Sequence, residues 1–395
     1  MKKSEHSSRL NRIVFIAGLL ILSACQMIKE KKIESEINDI ITRYAPDPRT
    51  CICNIKVKSG KEGEIILVGE TSVLKVKQSL IKALDNDGIR LIDSILILPD
   101  TTINKKYMGL VTLSVINLRK EPEHSSELVS QAIMGTPVLI LNRAGSWFLV
   151  QTPDNYVSWT EESSIRSMSK LEMEAWKKSS RVLYCENTGW IYANASTGSG
   201  IVGDLVGGCI MEKSGKMNGF NMVVLPDSRE GFVEEQKLVD FDKWKDTVRC
   251  NEGTVCSTAL TFMGLPYLWG GTSAKGVDCS GFVHSVFFMN GVVLERDASL
   301  QALHGLNIDI SGGFGNIRKG DLLFFGSGVD AISHVGIYLG NDEYINSSGR
   351  VMINSLDSTR VNYSSYRKNS LLTVKRIIGV DGDIGIVPVN RHSWY

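Results

Sequence analysis

Apolar positions change period several times along this chain, and each change marks a new part. Ile13 to Leu22 forms a continuous apolar run. After a charged stretch, Ile37 to Tyr44 has helical spacing. Two strand-like runs follow, Cys51–Val57 and Glu64–Gly69, then helical spacing over Thr71 to Leu84 and a strand over Ile89–Leu98. Together they predict a small α/β domain over residues 37–105.

From residue 107 short strands alternate with Gly and Pro-Asp turns. The strand candidates are Val111–Leu118, Pro137–Leu141, Trp147–Gln151 and Tyr156–Trp159. The run from Trp147 to Trp159 parallels the run from Phe220 to Val233, each with a Pro-Asp turn in its middle. Two consecutive small β-barrels are therefore predicted, over 106–168 and 181–245. Ser167–Lys178 between them reads as a polar helix, and Trp147, Trp159 and Trp190 are expected in the barrel cores.

Residues 250–395 differ again. A helix is predicted around Ser257–Met263, and it leads into the Gly- and aromatic-rich segment Gly264 to Gly271. Phe282, Val283, Val286, Phe287 and Met289 then recur at helical spacing. Asn290-Gly291 stops this helix, and Asp278 suits its N-cap. Asp321–Phe325 and Ser333–Leu339 read as strands, and another begins at Glu343–Asn346.

The chain has 395 residues and a formal net charge of +1. Without its first 24 residues, which hold four basic residues and one acidic, the charge becomes −2. A near-neutral body with no long basic run argues against nucleic acid as a partner. The basic start and short apolar run suit a signal peptide over residues 1–24 rather than a membrane span, which needs ~20 residues. Leu22-Ser23-Ala24-Cys25 resembles a bacterial lipobox, which implies cleavage before Cys25 and lipidation of its thiol. Residues 25–36 then read as a tether, and the protein is expected in the cell envelope, anchored to a membrane and facing the periplasm. Of the eight cysteines, Cys51-x-Cys53 has the wrong spacing for a zinc knuckle. Cys185 with Cys209 and Cys250 with Cys256 could bridge in an exported chain, or remain free thiols.

Candidate chemistry is concentrated in the last part. Cys279 falls in the first turn of the helix capped by Asp278, where N–H groups and the positive dipole end favour a thiolate. Gly270, Gly271 and Gly281 would let backbone approach a bound peptide closely. A thiolate needs a base. His284 is five residues along the same helix, about 140° off the Cys279 face, and reads as solvated. His304 sits in a polar connection and reads as exposed. His334 alternates with the apolar Val335, Ile337 and Leu339, on the face that carries small Gly336. The base needs an orienting group. A three-residue loop Gly340-Asn341-Asp342 would pair Leu339 with Glu343. Ser348 then opposes His334, and Asn346 is its diagonal neighbour on the same face, within side-chain reach. A two-residue loop would turn Asn346 to the other face.

These motifs resemble the NlpC/P60-type cell-wall peptidases, a papain-like family. The match runs from Tyr267 to about Leu356 and includes P-Y-L-W-G-G, D-C-S-G-F, R-D-A-S, K-G-D-L-L-F-F and S-H-V-G-I-Y-L-G. The resemblance implies Cys279 as nucleophile, His334 as base and Asn346 as the third polar residue. That third residue is usually His in the family, and Glu295 stands where the family commonly has Pro. Tyr267 matches a tyrosine that helps bind the oxyanion with the Cys279 N–H. The repeated barrels resemble bacterial SH3-like domains, and residues 37–105 loosely resemble a BON-type module. The expected fold is thus multidomain α+β: a papain-like catalytic domain over 250–395, preceded by two SH3-like barrels and a small α/β domain.

Two SH3-like domains ahead of this catalytic domain resemble the γ-D-glutamyl-diamino acid endopeptidases. In them the first barrel narrows the cleft. The resemblance implies that Asp278 and Ser280, with Ser299, bind the free amino group of L-Ala, and Trp269 is a further substrate-binding candidate. Glu121, Glu123 and Glu127 are candidates for an acidic contact from the barrel. The expected activity is hydrolysis of the γ-D-glutamyl-diamino acid bond of murein peptides, with no metal or organic cofactor. Alternatives are an endopeptidase on intact crosslinked wall and a non-catalytic wall-binding lipoprotein.

Overall fold

A computed structural model describes residues 31–60, 64–86, 90–101, 105–328 and 331–395. The signal peptide and Cys25 lie outside the described residues. The described chain falls into two compact units that divide at Asp100 and Thr101.

In the first unit, strand Ile65–Thr71 is central. It pairs antiparallel with Cys53–Ser59 and parallel with Leu91–Ile97. The parallel step requires a crossover, which helix Leu74–Asn86 supplies. Val76, Leu80 and Leu84 recur every four residues and are fully buried beside Leu67 and Ile95. A further helix covers 31–44. The tether expected over 25–36 is therefore helical from residue 31. Ile33 and Ile37 form one apolar stripe and are buried, a spacing that the surrounding charges mask.

The second unit begins with a seven-stranded antiparallel sheet. Its spatial order is Ile165–Met168, Met108–Val111, Pro137–Ala144, Trp147–Gln151, Val157–Glu161, Val115–Arg119 and Leu128–Ile133. The single strand expected over Val111–Leu118 is two strands. Thr112 breaks it by turning both its N–H and its hydroxyl to the Ser164 carbonyl, at 3.1 and 3.0 Å. Helix Lys170–Lys178 follows, closed at its start by a capping box between Ser169 and Glu172. A second seven-stranded sheet then repeats the order of the first strand for strand: Leu238–Asp240, Arg181–Tyr184, Ile210–Met217, Phe220–Val224, Glu230–Glu234, Thr188–Tyr192 and Ile201–Val206. Trp147 is buried as expected, but Trp190 is half exposed.

The remaining residues build a six-stranded antiparallel sheet ordered Leu306–Ile308, Leu371–Arg376, Leu322–Gly326, Ile332–Gly340, Glu343–Ser348 and Arg350–Ser355. Helix Cys279–Met289 packs on it through Phe282, Val283, Val286 and Phe287, against Val335, Ile337 and Ile345. The earlier helix spans Glu252–Thr261, five residues ahead of its expected start, because Asn251 caps it. One shared cluster unites the three parts. Leu110 of the first sheet, Trp176 of the connecting helix, Leu183 of the second sheet and Phe288 of the Cys279 helix pack together.

Candidate active site

Asp278 is the N-cap of the Cys279 helix, and its Oδ1 accepts from the Gly281 N–H at 2.7 Å. This places Cys279 at the first helical position, where it is buried. The three glycines bring protein backbone to protein backbone rather than to a ligand. A Cβ on Gly281 would lie 2.0 Å from the Gly271 carbonyl oxygen, and one on Gly270 would lie 2.6 Å from that of Leu128. Leu128 belongs to the first sheet, so that sheet presses directly on the loop beside Cys279.

His334 lies on strand Ile332–Gly340 and is buried. Its Nε2 is 2.9 Å from Asn346 Oδ1. The surroundings fix both orientations. Asn346 Nδ2 donates to the Met352 carbonyl at 3.3 Å and to Asn354 Oδ1 at 2.9 Å. A carbonyl only accepts, so the Oδ1 atom must face His334, and Nε2 must carry the proton it donates there. Nδ1 is left as the basic nitrogen. Cys279 Sγ receives a hydrogen bond from the Val335 N–H, which puts the thiol beside the residue that follows His334.

The hairpin that brings Asn346 to His334 is built differently from expectation. Asn341 and Asp342 have φ of 54° and 60° and form a two-residue loop between Gly340 and Glu343. That loop alone would reverse the faces of the second strand. A bulge between Tyr338 and Gly340 adds one residue and restores the pairing of Ile337 with Ile345 and Tyr338 with Tyr344. Asn346 thus keeps the expected face by two changes that cancel.

The helix N-terminus does not leave Cys279 acidic. Burial and the adjacent Asp278 charge push the thiol up to about 11, against hydrogen bonds from the Val335 and Ser280 N–H groups and the Arg296 charge. Burial and the charge of Arg367 hold His334 down to about 3, against its bond to Asn346 and the Asp278 charge. At neutral pH the resting pair is a thiol and a neutral imidazole. Burial and the nearby Cys279 and Asp278 charges raise the Tyr267 phenol to about 12, so it stays a hydrogen-bond donor. Tyr267 is held by a parallel bridge to Val277, two residues before Cys279.

Arg296, the first residue of the R-D-A-S motif, carries no role that the sequence alone predicts. It is almost fully buried and forms a bidentate pair with Asp278, at 3.1 Å to Oδ1 and 2.6 Å to Oδ2. It also donates to Ser280 Oγ and to Ser130 Oγ of the first sheet, both at 3.0 Å. Asp278 Oδ2 accepts in addition from the Gly270 N–H at 2.9 Å. Asp278 and Ser280 are therefore occupied within the protein. The sign that could have revealed this is a lone arginine in a segment otherwise destined for the core. Ser299, in helix Ala298–Gln301, is half-buried beside the His334 strand.

Trp269 is 60% exposed, and its Nε1 donates to Glu127 Oε1 at 3.0 Å. Of the three acidic candidates, this contact singles out Glu127. His284 is not solvated: it is partly buried, 3.6 Å from Asp154 Oδ2 of the first sheet domain. It lines a cavity of about 180 Å³ behind the helix, which neither Cys279 nor His334 lines. His304 is also partly buried rather than exposed, with Nδ1 2.6 Å from Asp383 Oδ1. The seven described cysteines are all free thiols, so neither suggested bridge forms. Among the described residues, no three His, Cys, Asp or Glu side chains are grouped to hold a metal ion.

Residues 264–373, which carry Tyr267, Cys279, His334 and Asn346, match the NlpC/P60 family. The chain carries an NlpC/P60 peptidase domain. Residues 118–165, in the first sheet, match the bacterial dipeptidyl-peptidase SH3 domain. The chain is 29% identical over 228 residues to a γ-D-glutamyl-L-lysine dipeptidyl-peptidase of Bacillus subtilis, covering 55% of this chain and 71% of that protein. It is 26% identical to dipeptidyl-peptidase 6 of Lysinibacillus sphaericus, covering 68% of this chain and 98% of the other. The fold resembles the crystal structure of an NlpC/P60 family protein from Bacillus cereus, with a TM-score of 0.59 and 21% identity. That match covers 68% of this chain and 99% of the other.

Proposed function

We propose that this NlpC/P60 peptidase hydrolyses the γ-D-glutamyl-diamino acid bond of murein peptides that carry a free N-terminal L-Ala. The observation that carries the reading is the Cys279, His334 and Asn346 group with the SH3 domain pressed against its loop. Glu127 of that domain reaches Trp269 at the rim. A half-exposed carboxylate there, with Trp269 on one oxygen and Lys120 Nζ 3.8 Å from the other, suits a short peptide ending in an ammonium group.

The chemistry follows from the resting state. As Cys279 Sγ adds to the γ-carbonyl of D-Glu, His334 Nδ1 takes the thiol proton. Asn346 steadies the resulting imidazolium through its Oδ1. The Tyr267 hydroxyl and the Cys279 N–H stabilise the oxyanion. His334 then protonates the leaving amine, and the C–N bond breaks to give a thioester. Water, with His334 again as base, hydrolyses the thioester and restores the thiol. With Asp278 held by Arg296, we assign the substrate ammonium primarily to Glu127, with Trp269 beside it.

The second sheet shares its strand order with the matched SH3 domain, which supports reading it as a second SH3-like domain. The strand, crossover helix and parallel strand of the first unit support the BON-like reading. We further propose that Cys25 is lipidated and holds the protein in the cell envelope; labelled palmitate should enter the parent protein and not Cys25→Ala. The deciding experiment incubates L-Ala-γ-D-Glu-L-Lys and its N-acetyl form with the protein, with mass spectrometry of the products. Cleavage of the free peptide at least ~30-fold faster, within the range for one charge-assisted contact, supports the assignment. Equal rates favour an endopeptidase on intact wall.

A further inference from the structure

A guanidinium without an ionic partner stands beside His334. Arg367 lies in the short helix Ser365–Ser370, which packs on strand Leu322–Gly326. Its Cζ is 5.7 Å from the centroid of the Phe325 ring and 5.4 Å from that of Tyr366. The Phe325 ring lies in turn 5.7 Å from that of His334. One aromatic side chain therefore separates the cation from the base. Two other arginines of this domain are neutralised: Arg296 by Asp278 and Arg376 by Asp321. Among the described residues the Arg367 side chain has no carboxylate partner and makes only the two ring contacts.

A cation at this position works against the proposed reaction, because it opposes the imidazolium that His334 must become. Its effect extends to Tyr267, whose phenol it acidifies slightly against the larger effect of burial. Packing alone does not account for the charge, since an apolar side chain would cover Phe325 as well. A substrate anion would resolve the conflict by neutralising the guanidinium when the peptide is in place. Given the γ-D-glutamyl reading, on which this inference rests, two carboxylates are available near the scissile bond. One is the α-carboxylate of D-Glu, left free by the γ linkage. The other is that of the diamino acid when it ends the peptide. The amino end of the substrate is assigned to Glu127 and Trp269, whereas Arg367 approaches His334 from the Leu322–Gly326 strand.

We propose that Arg367 is a specificity-determining residue that binds a free carboxylate of the substrate beside His334. The planar guanidinium can take a carboxylate through two parallel hydrogen bonds, which fixes the peptide's orientation across the scissile bond. The bound anion also removes the charge that opposes protonation of His334. Correct substrate thereby prepares its own base, and a peptide amidated at that position does not.

The test uses the parent protein, Arg367→Gln and Arg367→Lys with three peptides: L-Ala-γ-D-Glu-L-Lys, its C-terminal amide, and the form with D-isoglutamine in place of D-Glu. In the parent, amidating the recognised carboxylate should lower kcat/KM by roughly 10–100-fold, as expected for a charge-assisted contact. Whichever amide shows the loss identifies the carboxylate. In Arg367→Gln the acid-to-amide ratio should fall to within about 3-fold, and Arg367→Lys should keep an intermediate preference because it retains charge without the fork. Melting curves check that the variants fold, and Arg367→Lys carries the test alone if the glutamine variant does not. The proposal is overturned if the parent cleaves both amides as fast as the acid. It is also overturned if the variants keep the parent's ratio, or slow all three peptides equally. Failure of the parent to cleave the free tripeptide would instead remove the functional reading itself.

Discussion

Replacing Arg296 by Met isolates the contribution of the buried pair under the Cys279 helix. The arginine is almost fully buried, with side-chain exposure of 1% against 9% for Asp278. Burial alone would lower its pKa, yet the Asp278 carboxylate raises it above the ordinary guanidinium value. Methionine fills much of the stem's volume but leaves the Asp278 charge buried, with only the Gly281 and Gly270 N–H groups and a distant Ser280 hydroxyl to stabilise it. Breaking one side of such a pair costs about 3–5 kcal/mol. At about 2 °C per kcal/mol for a unit of this size, the melting temperature should fall by roughly 6–10 °C. The double variant Arg296→Met with Asp278→Asn should recover at least half of the loss. Asn still caps the helix, and no uncompensated charge remains. Differential scanning calorimetry on the parent, both single variants and the double variant measures this. A shift below about 1 °C for Arg296→Met, or a double variant no more stable than the sum of the singles predicts, would refute the reasoning.

Cys279→Ala and His334→Ala should each abolish hydrolysis of L-Ala-γ-D-Glu-L-Lys while leaving the far-ultraviolet dichroism unchanged; turnover by either would remove the mechanism. Asn346→Ala should lose roughly 10–100-fold in kcat/KM, less than the base itself, and an undiminished rate would exclude it as the orienting residue. Because burial and the Arg367 charge hold His334 down to about 3, below the usual 6.5, the imidazole stays a neutral base as the pH falls. The acid limb of kcat/KM should therefore lie well below pH 6.5, and a limb centred at or above that value contradicts the assignment. The same depression makes the unfolded chain take up the proton first, so stability should decline as pH falls from 6.5 toward 3. Glu127→Gln should lower kcat/KM on the free peptide by roughly 10-fold and change the N-acetyl peptide far less; equal effects on both would exclude an ammonium contact.

Much of the site was legible because it depends on local periods. Alternation along the His334 strand and the N-cap at Asp278 are properties of a few adjacent residues. The contact between His334 and Asn346 required only one hairpin more. What could not be read depends on packing across long sequence distances. The partnership of Arg296 with Asp278 and Ser130 joins three segments. His304 and His284 are less exposed than their local sequence predicts because Asp383 and Asp154, far along the chain, cover them. Cys279 is less acidic than its helix position predicts for a similar reason. The helix end is visible in the sequence, but the burial that outweighs it is not. The strand repeat of the two small sheets showed as a shared Pro-Asp turn, whereas the break at Thr112 depends on a carbonyl some fifty residues away.

The compensated hairpin before Asn346 makes length in this segment a matter of parity. One residue removed from the loop or from the bulge would carry Asn346 to the opposite side of its strand and disconnect it from His334, although every side chain involved is still present. Two residues added or lost together would not. Drift in the length of this turn should therefore be tolerated only in even steps, or in paired events at the bulge and the loop. A shift of one would behave as Asn346→Ala does, without any substitution at that position.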